Sequence, residues 1–257
     1  MARIFITGSS QGLGLMAGQL LISEGHEVVL HGRDRARADA AVAEAPGAKG
    51  SVVGDLSCLG DMRAVAEQAN RFGAFDAVIH NVGVGYQEPR RVETEDGLPH
   101  VFAVNVLAPY ALTALMLRPK RLVYLSSGLH RNAAPDFGDL LWKTRRWQGT
   151  QAYSESKFLD VLLAFGVARR WPDTLSNALE PGWVATRMGG RGASDDLHQG
   201  HLTQAWLATS DDPSARGTAG YFFHKAPRTP DPATRDEVAQ DALLTACADL
   251  SGIALPA

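Results

Sequence analysis

The chain has 257 residues, 45% of them hydrophobic, enough to bury one large core and to be expected as a single domain spanning 1–257. Its 25 basic and 28 acidic side chains leave a formal charge of −3 and form no long basic run, which argues against nucleic acid as a partner. Two distant cysteines, Cys58 and Cys247, have neither zinc nor redox spacing, and no apolar run reaches the roughly 18 residues of a membrane span. A cytoplasmic, reducing compartment is expected, with no signal-type segment at the start.

Short β-branched runs alternate with longer segments of helical periodicity. Strands are predicted at 3–7, 27–31, 50–54, 74–80, 121–126, 175–180 and 219–224, and helices at 12–24, 35–44, 60–72, 95–117 and 153–171. Continuous apolar strands between crossover helices imply an α/β chain: a Rossmann-type, doubly wound, parallel seven-stranded sheet in a three-layer α/β/α sandwich. Three irregular stretches, 82–94, 128–151 and 182–217, follow predicted strands. They should gather at the carboxyl edge of the sheet, the last two as substrate loops.

After the first strand comes Thr7-Gly8-Ser9-Ser10-Gln11-Gly12-Leu13-Gly14. Gly8 suits a tight turn, Gly12 a close approach to a pyrophosphate, and Gly14 close packing of helix on strand. Backbone N–H groups of Ser10, Gln11 and Leu13 would face the phosphates at the helix start. The same glycines could simply shape a turn. The second strand ends in Arg33-Asp34, where an acid would bind a ribose hydroxyl and an arginine a 2′-phosphate; the order favours NADP over NAD, with Arg33 as a solvated charge the plainer alternative.

Tyr153 and Lys157 are four residues apart at the start of a long helix read as amphipathic, so both reach one volume. A phenol near pKa 10 is a poor base until a cation favours its anion. Tyr153 could then exchange a proton with a substrate oxygen. Upstream, the 121–126 strand runs out at Ser126-Ser127, where a hydroxyl could hold that oxygen.

Taken together, these residues resemble the short-chain dehydrogenase/reductase family over essentially the whole chain: Thr7 to Gly14, Asp55-Leu56, Asn81-Val82-Gly83, Asn105, Ser127, Tyr153, Lys157 and Pro181-Gly182. The resemblance implies a catalytic tetrad of Asn105, Ser127, Tyr153 and Lys157. It also implies that Asp55 and Leu56 meet adenine, that Asn81 and Gly83 brace the cofactor site, and that Lys157 and Tyr153 reach the nicotinamide ribose. Pro181, Gly182, Val184 and Thr186 would line the nicotinamide end. The insert between Ser127 and Tyr153 and the Arg33-Asp34 pair resemble the retinol-dehydrogenase-like branch, which implies an NADP-linked carbonyl reductase or alcohol dehydrogenase for apolar or aromatic small molecules. Relatives often pair through the helices of residues 95 and 153, so a homodimer or homotetramer is also implied. Val82 departs from the family's usual alanine, and the membrane-anchoring segment of many branch members is missing. A catalytically silent NAD(P)-binding regulator or scaffold is the alternative, disfavoured because Tyr153 and Lys157 are both present.

Four histidines, His130, His198, His201 and His224, lack matching ligand partners, so no metal is expected. Trp142, Trp147, Trp183, Trp206 and Tyr86 suit either an apolar pocket or loop packing, and Arg145-Arg146 either an anionic substrate group or solvent.

Overall fold

A computed structural model describes residues 1–257. Seven strands run parallel: β1 (Arg3–Ile6), β2 (Glu27–Gly32), β3 (Gly50–Val53), β4 (Ala77–His80), β5 (Arg121–Leu125), β6 (Leu175–Leu179) and β7 (Tyr221–Phe223). Their spatial order is 3-2-1-4-5-6-7, reversing direction between β1 and β4, where Ile4 lies between Val28 and Ala77. In open α/β sheets ligands bind at that reversal, outside the carboxyl ends of the strands.

An eighth strand, β8 (Ala226–Pro227), pairs antiparallel with β7, so the sheet has eight strands rather than the predicted seven. The turn into it runs through His224 and Lys225, both at positive φ (49° and 62°). Hairpin turns of this kind usually carry Asn-Gly or Asp-Gly, so this one has no local signature. Pro227 cannot donate to a ladder and sits on the sheet's edge, where that is tolerated.

Alternate residues of each strand feed two cores. Ile4, Ile6, Val28 and Leu30 bury against Ala17 and Leu21 of α1 (Gly12–Ser23) and Ala41 of α2 (Arg35–Glu44). Phe5, Val29 and Val78 bury on the opposite face, against α3 (Leu59–Asn70) and the helices that follow β4.

The helix predicted at 95–117 starts later and is not uniform. A short α4 (His100–Phe102) passes into a π turn (Ala103–Leu107) and then α5 (Ala108–Leu115). Residues before it form a turn: Thr94 bonds across to Leu98, and Pro99 caps the helix. The stretch 182–217, predicted irregular, contains α7 (Leu197–Gly200) and α8 (Leu202–Thr209), the latter burying Ala205, Leu207 and Ala208 against the sheet.

The catalytic-segment helix, α6 (Gly149–Arg170), is not amphipathic in its surroundings: every residue from Ala152 to Ala168 is buried. Its outer face is covered by α9 (Glu237–Ser251), an element absent from the sequence reading. The tail secures that cover. Tyr110 donates to Ile253 O at 2.8 Å, Trp171 Nε1 to Pro256 O at 2.8 Å, and Arg63 to Ser251 O at 2.9 Å. The α5 and α6 faces through which family relatives often pair are therefore occupied within the chain.

Candidate active site

The glycine loop leaves β1 at Thr7 and is held by neighbours on both sides. Gly8 adopts φ +60°, and a Cβ there would lie 2.8 Å from Val82 Cα, so any side chain would collide with the backbone at the end of β4. A Cβ on Gly14 would fall 2.4 Å from Asn81 Nδ2; Asn81 instead donates to the carbonyls of Thr7 (3.0 Å) and Gly8 (3.1 Å). Gly14 thus packs behind the loop rather than facing the cavity. Asn81 thereby ties the end of β4 to the glycine loop.

His31, which sequence reasoning missed, ties three elements together. The Gly8 N–H donates to Nδ1 at 3.0 Å, so Nε2 carries the proton and donates to Gly54 O at 2.9 Å. Its backbone N–H donates to Ser9 Oγ at 2.8 Å. Burial penalises the charged form and pulls its pKa down to about 4, so the ring is neutral at physiological pH.

At the adenosine end, Asp34 does not present itself as an acid for a ribose. It caps α2, accepting from the Arg37 N–H at 2.8 Å. Arg33 and Arg37 both line the cavity, with side chains 62% and 33% exposed, and each lies within 4 Å of the Asp34 carboxylate. Arg37, one helical turn from Arg33, was not picked out from sequence. Asp55 accepts from Ser57 N, which fixes the turn after β3 beside Leu56.

The reaction end is built from β5, α6 and the π turn. Ser126 donates to Lys157 O at 2.7 Å, locking the strand end to the helix, while Ser127 lines the cavity and accepts from Leu129 N. Tyr153 and Lys157 line the same cavity, with the ammonium 5.9 Å from the phenol ring centroid. Asn105, 1% exposed, does not line it. Its Oδ1 accepts from Val84 N (2.8 Å), and its Nδ2 donates to Val84 O (3.1 Å) and Ser156 Oγ (2.9 Å). A π turn at a functional position is a common device for re-aiming one side chain. Asn105 and Lys157 come close to each other: a Cβ on Gly83 would lie 3.6 Å from both Asn105 Oδ1 and Lys157 Nζ.

Lys157 is buried and donates to Leu125 O and Asp160 Oδ2, both at 2.8 Å. Burial alone would depress its pKa; the Asp160 carboxylate outweighs this and holds it above the ordinary lysine value. Asp160 itself is pushed up to about 7 by burial, against the pull of Lys157. This acid, one turn beyond the tyrosine–lysine pair, carried no signal in sequence.

The cavity has a volume of about 1180 Å³ and reaches from Arg33 to Trp183. Gly8, Ser10, Gln11, Gly12, Leu13, Asp55, Leu56, Asn81 and Gly83 line it, as do Pro181, Gly182, Val184 and Thr186 from the loop after β6. A side chain at Gly12 would approach Thr186 Cγ2 to 3.9 Å, so the loop after β6 arches back over the phosphate loop. Side-chain-free glycine backbone, a helix N-terminus and a long cleft suit a nicotinamide dinucleotide.

Other candidates divide. Tyr86 and Trp183 line the cavity; Trp142 and Trp147 pack edge-on to each other, and Trp206 packs on Phe222. Arg145 is engaged by Glu155 at 2.8 Å and stacks over Trp142, so it faces no substrate. His130 donates from Nδ1 to Ser127 O and accepts at Nε2 from Asp231 N, a tie behind the serine. A close trio of possible ligand atoms, from Cys58, Glu95 and Asp96, lies at the surface, where Asp96 accepts from Leu59 N at the start of α3.

Known proteins resemble this chain in sequence and in fold. The family model described as short chain dehydrogenase matches residues 2–133. The chain is 43% identical to short-chain dehydrogenase chyC of Penicillium rubens over 262 residues, covering all of both chains. It is 31% identical to human retinol dehydrogenase 13 across 72% of this chain and 60% of that one. A crystal structure from Mycobacterium paratuberculosis superposes with a TM-score of 0.87 at 25% identity, covering 100% of this chain and 96% of that one. The chain belongs to the short-chain dehydrogenase/reductase family and is an NAD(P)-dependent oxidoreductase.

Proposed function

We propose that the chain is an NADP-linked carbonyl reductase or alcohol dehydrogenase for small apolar or aromatic molecules, acting in the cytoplasm with Tyr153 as its acid–base group. The observation that carries the chemistry is the meeting of Tyr153, Lys157 and Ser127 at one cavity, with Asn105 fixed directly behind. When bound, the nicotinamide would supply or accept the hydride. Ser127 would hold the substrate oxygen, and Tyr153 would give that oxygen a proton in reduction or take one in oxidation. Lys157 supplies the positive charge that a phenolate at Tyr153 needs, and Asp160 with Leu125 O aims it. Asn105 would keep Gly83 and Val84 out of the reacting volume.

The NADP preference is supported by Asp34, which is committed to its helix cap while Arg33 and Arg37 face the cavity. An apolar substrate is supported by Tyr86, Val104, Trp183 and Met188 in the wall. Cytoplasmic residence is supported by two free thiols, and no helix is long and apolar enough to cross a membrane. The test is NADPH consumption over aliphatic, aromatic and isoprenoid aldehydes and ketones, with NADH in parallel. Tyr153→Phe should leave NADP affinity within about twofold while turnover falls by the roughly 10²–10⁴ that a positioned acid contributes. Persisting turnover would overturn the assignment.

A further inference from the structure

The cavity wall also holds a carboxylate–imidazole pair that the chemistry above does not use. Glu88 Oε1 meets His100 Nδ1 at 2.6 Å, and both residues line the cavity. The Nδ1–H donates to the carboxylate, which leaves Nε2, without a protein partner, as the polar atom available to the cavity. Glu88 Oε2 is buried and has no donor either, so the carboxylate's only side-chain partner is that imidazole.

The pair is also held in place. Trp147 Nε1 donates to Glu88 O at 2.9 Å, and a Cβ on Gly149 would sit 2.4 Å from the same oxygen, so the backbone at Glu88 lies directly on the first turn of α6. Tyr153 is four residues further along that helix, on the same face and about 6 Å away by helical geometry. Tyr86, two residues before Glu88, packs edge-on against the Tyr153 ring at 5.8 Å between centroids. His100 stands at the start of α4, one π turn from Asn105, which pins Val84 of the same loop. A bonded, oriented imidazole in the wall of the cavity that holds the reacting phenol is the arrangement that selects a second functional group on a ligand.

We propose that Glu88 and His100 form a second polar anchor of the substrate cavity, with His100 Nε2 accepting a hydrogen bond from a hydroxyl or N–H group that the ketone substrate carries away from its carbonyl. This rests on the reductase reading of the same cavity. It narrows the substrate class from apolar carbonyls to donor-bearing aromatic ketones, such as hydroxy- or amino-aryl ketones. Glu88 orients the imidazole and reinforces its lone pair; it does not touch the substrate.

The test uses binding, which does not depend on turnover. Acetophenone and its 2′-, 3′- and 4′-hydroxy isomers are titrated into the full chain saturated with NADP⁺. At least one hydroxy isomer should bind about tenfold tighter than acetophenone, as one well-placed hydrogen bond allows. In His100→Phe that ratio should fall to about one, and in His100→Gln and Glu88→Gln to an intermediate value, each variant checked for an unchanged melting profile. No preference in the parent chain, no binding by any hydroxy isomer at millimolar concentration, or a preference that survives His100→Phe overturns the anchor. The reductase reading fails separately, through a parent chain that consumes neither NADPH nor NADH with any aldehyde or ketone of the screen.

Discussion

Replacing Asn105 with Ala removes three hydrogen bonds at once: from Val84 N, to Val84 O and to Ser156 Oγ. Asn105 is 1% exposed, so no bulk water takes over the vacated partners. At about 1 kcal/mol net for each bond, the loss is about 3 kcal/mol, and more if the Val84 groups stay unpaired. For a chain of this size, 1 kcal/mol shifts the melting midpoint by about 2–4 °C, so the variant should melt about 6–12 °C lower. The loss should also be local. Hydrogen exchange at the Val84 amide should accelerate at least about tenfold, while amides in β1 and β4 keep their protection. Catalysis should fall as well, because Gly83 and Lys157 Nζ share the space that Asn105 polices. A midpoint shift below 2 °C with an unchanged Val84 amide would refute the account of the π turn as a mount for this side chain.

Removing Arg33 and Arg37 together should weaken NADP⁺ by at least about tenfold and NAD⁺ by less than twofold in fluorescence titrations. The gap should shrink in high salt because both guanidinium groups are substantially solvent-facing; equal losses for the two cofactors would remove the 2′-phosphate role. His31 and His80 are buried neutral, with burial pulling them down to about 4 and about 3. The unfolded chain protonates near pH 6.5 while these rings do not, so their contribution to stability is fully present above that pH. It is lost as pH falls towards 4, at up to about 1.4 kcal/mol per pH unit for each ring. Denaturation curves at stepped pH should show that slope, roughly halved in His31→Asn; a flat profile from pH 6.5 to 4 would contradict it. Sedimentation at micromolar concentration should give a monomer, and a dimer cross-linked through α5 and α6 would show that α9 does not cover them.

The parts legible in sequence are those whose physics is local. The β1–Gly8–Gly14–α1 unit needs only an apolar strand, glycines where backbone crowds, and a helix start. Tyr153 and Lys157 are related by one turn of helix. Strand β8 escaped because its turn is made by His224 and Lys225 at positive φ rather than by a residue that favours it. The break before α4 depends on a Thr94–Leu98 turn inside an otherwise helical pattern. Helix α9 was missed, and with it the burial of α6, since the covering of one helix by another is settled by residues more than seventy positions apart, such as Arg169 and Gln240. His31 was invisible for a related reason: a histidine in an apolar strand looks ordinary until its partners, Gly8 and Gly54, come together in space. Asp160, three residues from Lys157 on the same helix, reads as an ordinary surface pair until the surrounding elements bury both.

The C-terminal position of α9 bears on how the protein comes into being during synthesis. The Rossmann core can assemble from the amino terminus as the chain emerges, but the outer face of α6 around Gly166, on which Gln240 and Leu244 pack, stays bare until α9 and the Ile253–Pro256 segment are free to dock. During that interval the helix carrying Tyr153 presents an apolar flank to the cell. A chain without residues 237–256 would therefore keep that flank uncovered, a surface prone to aggregation.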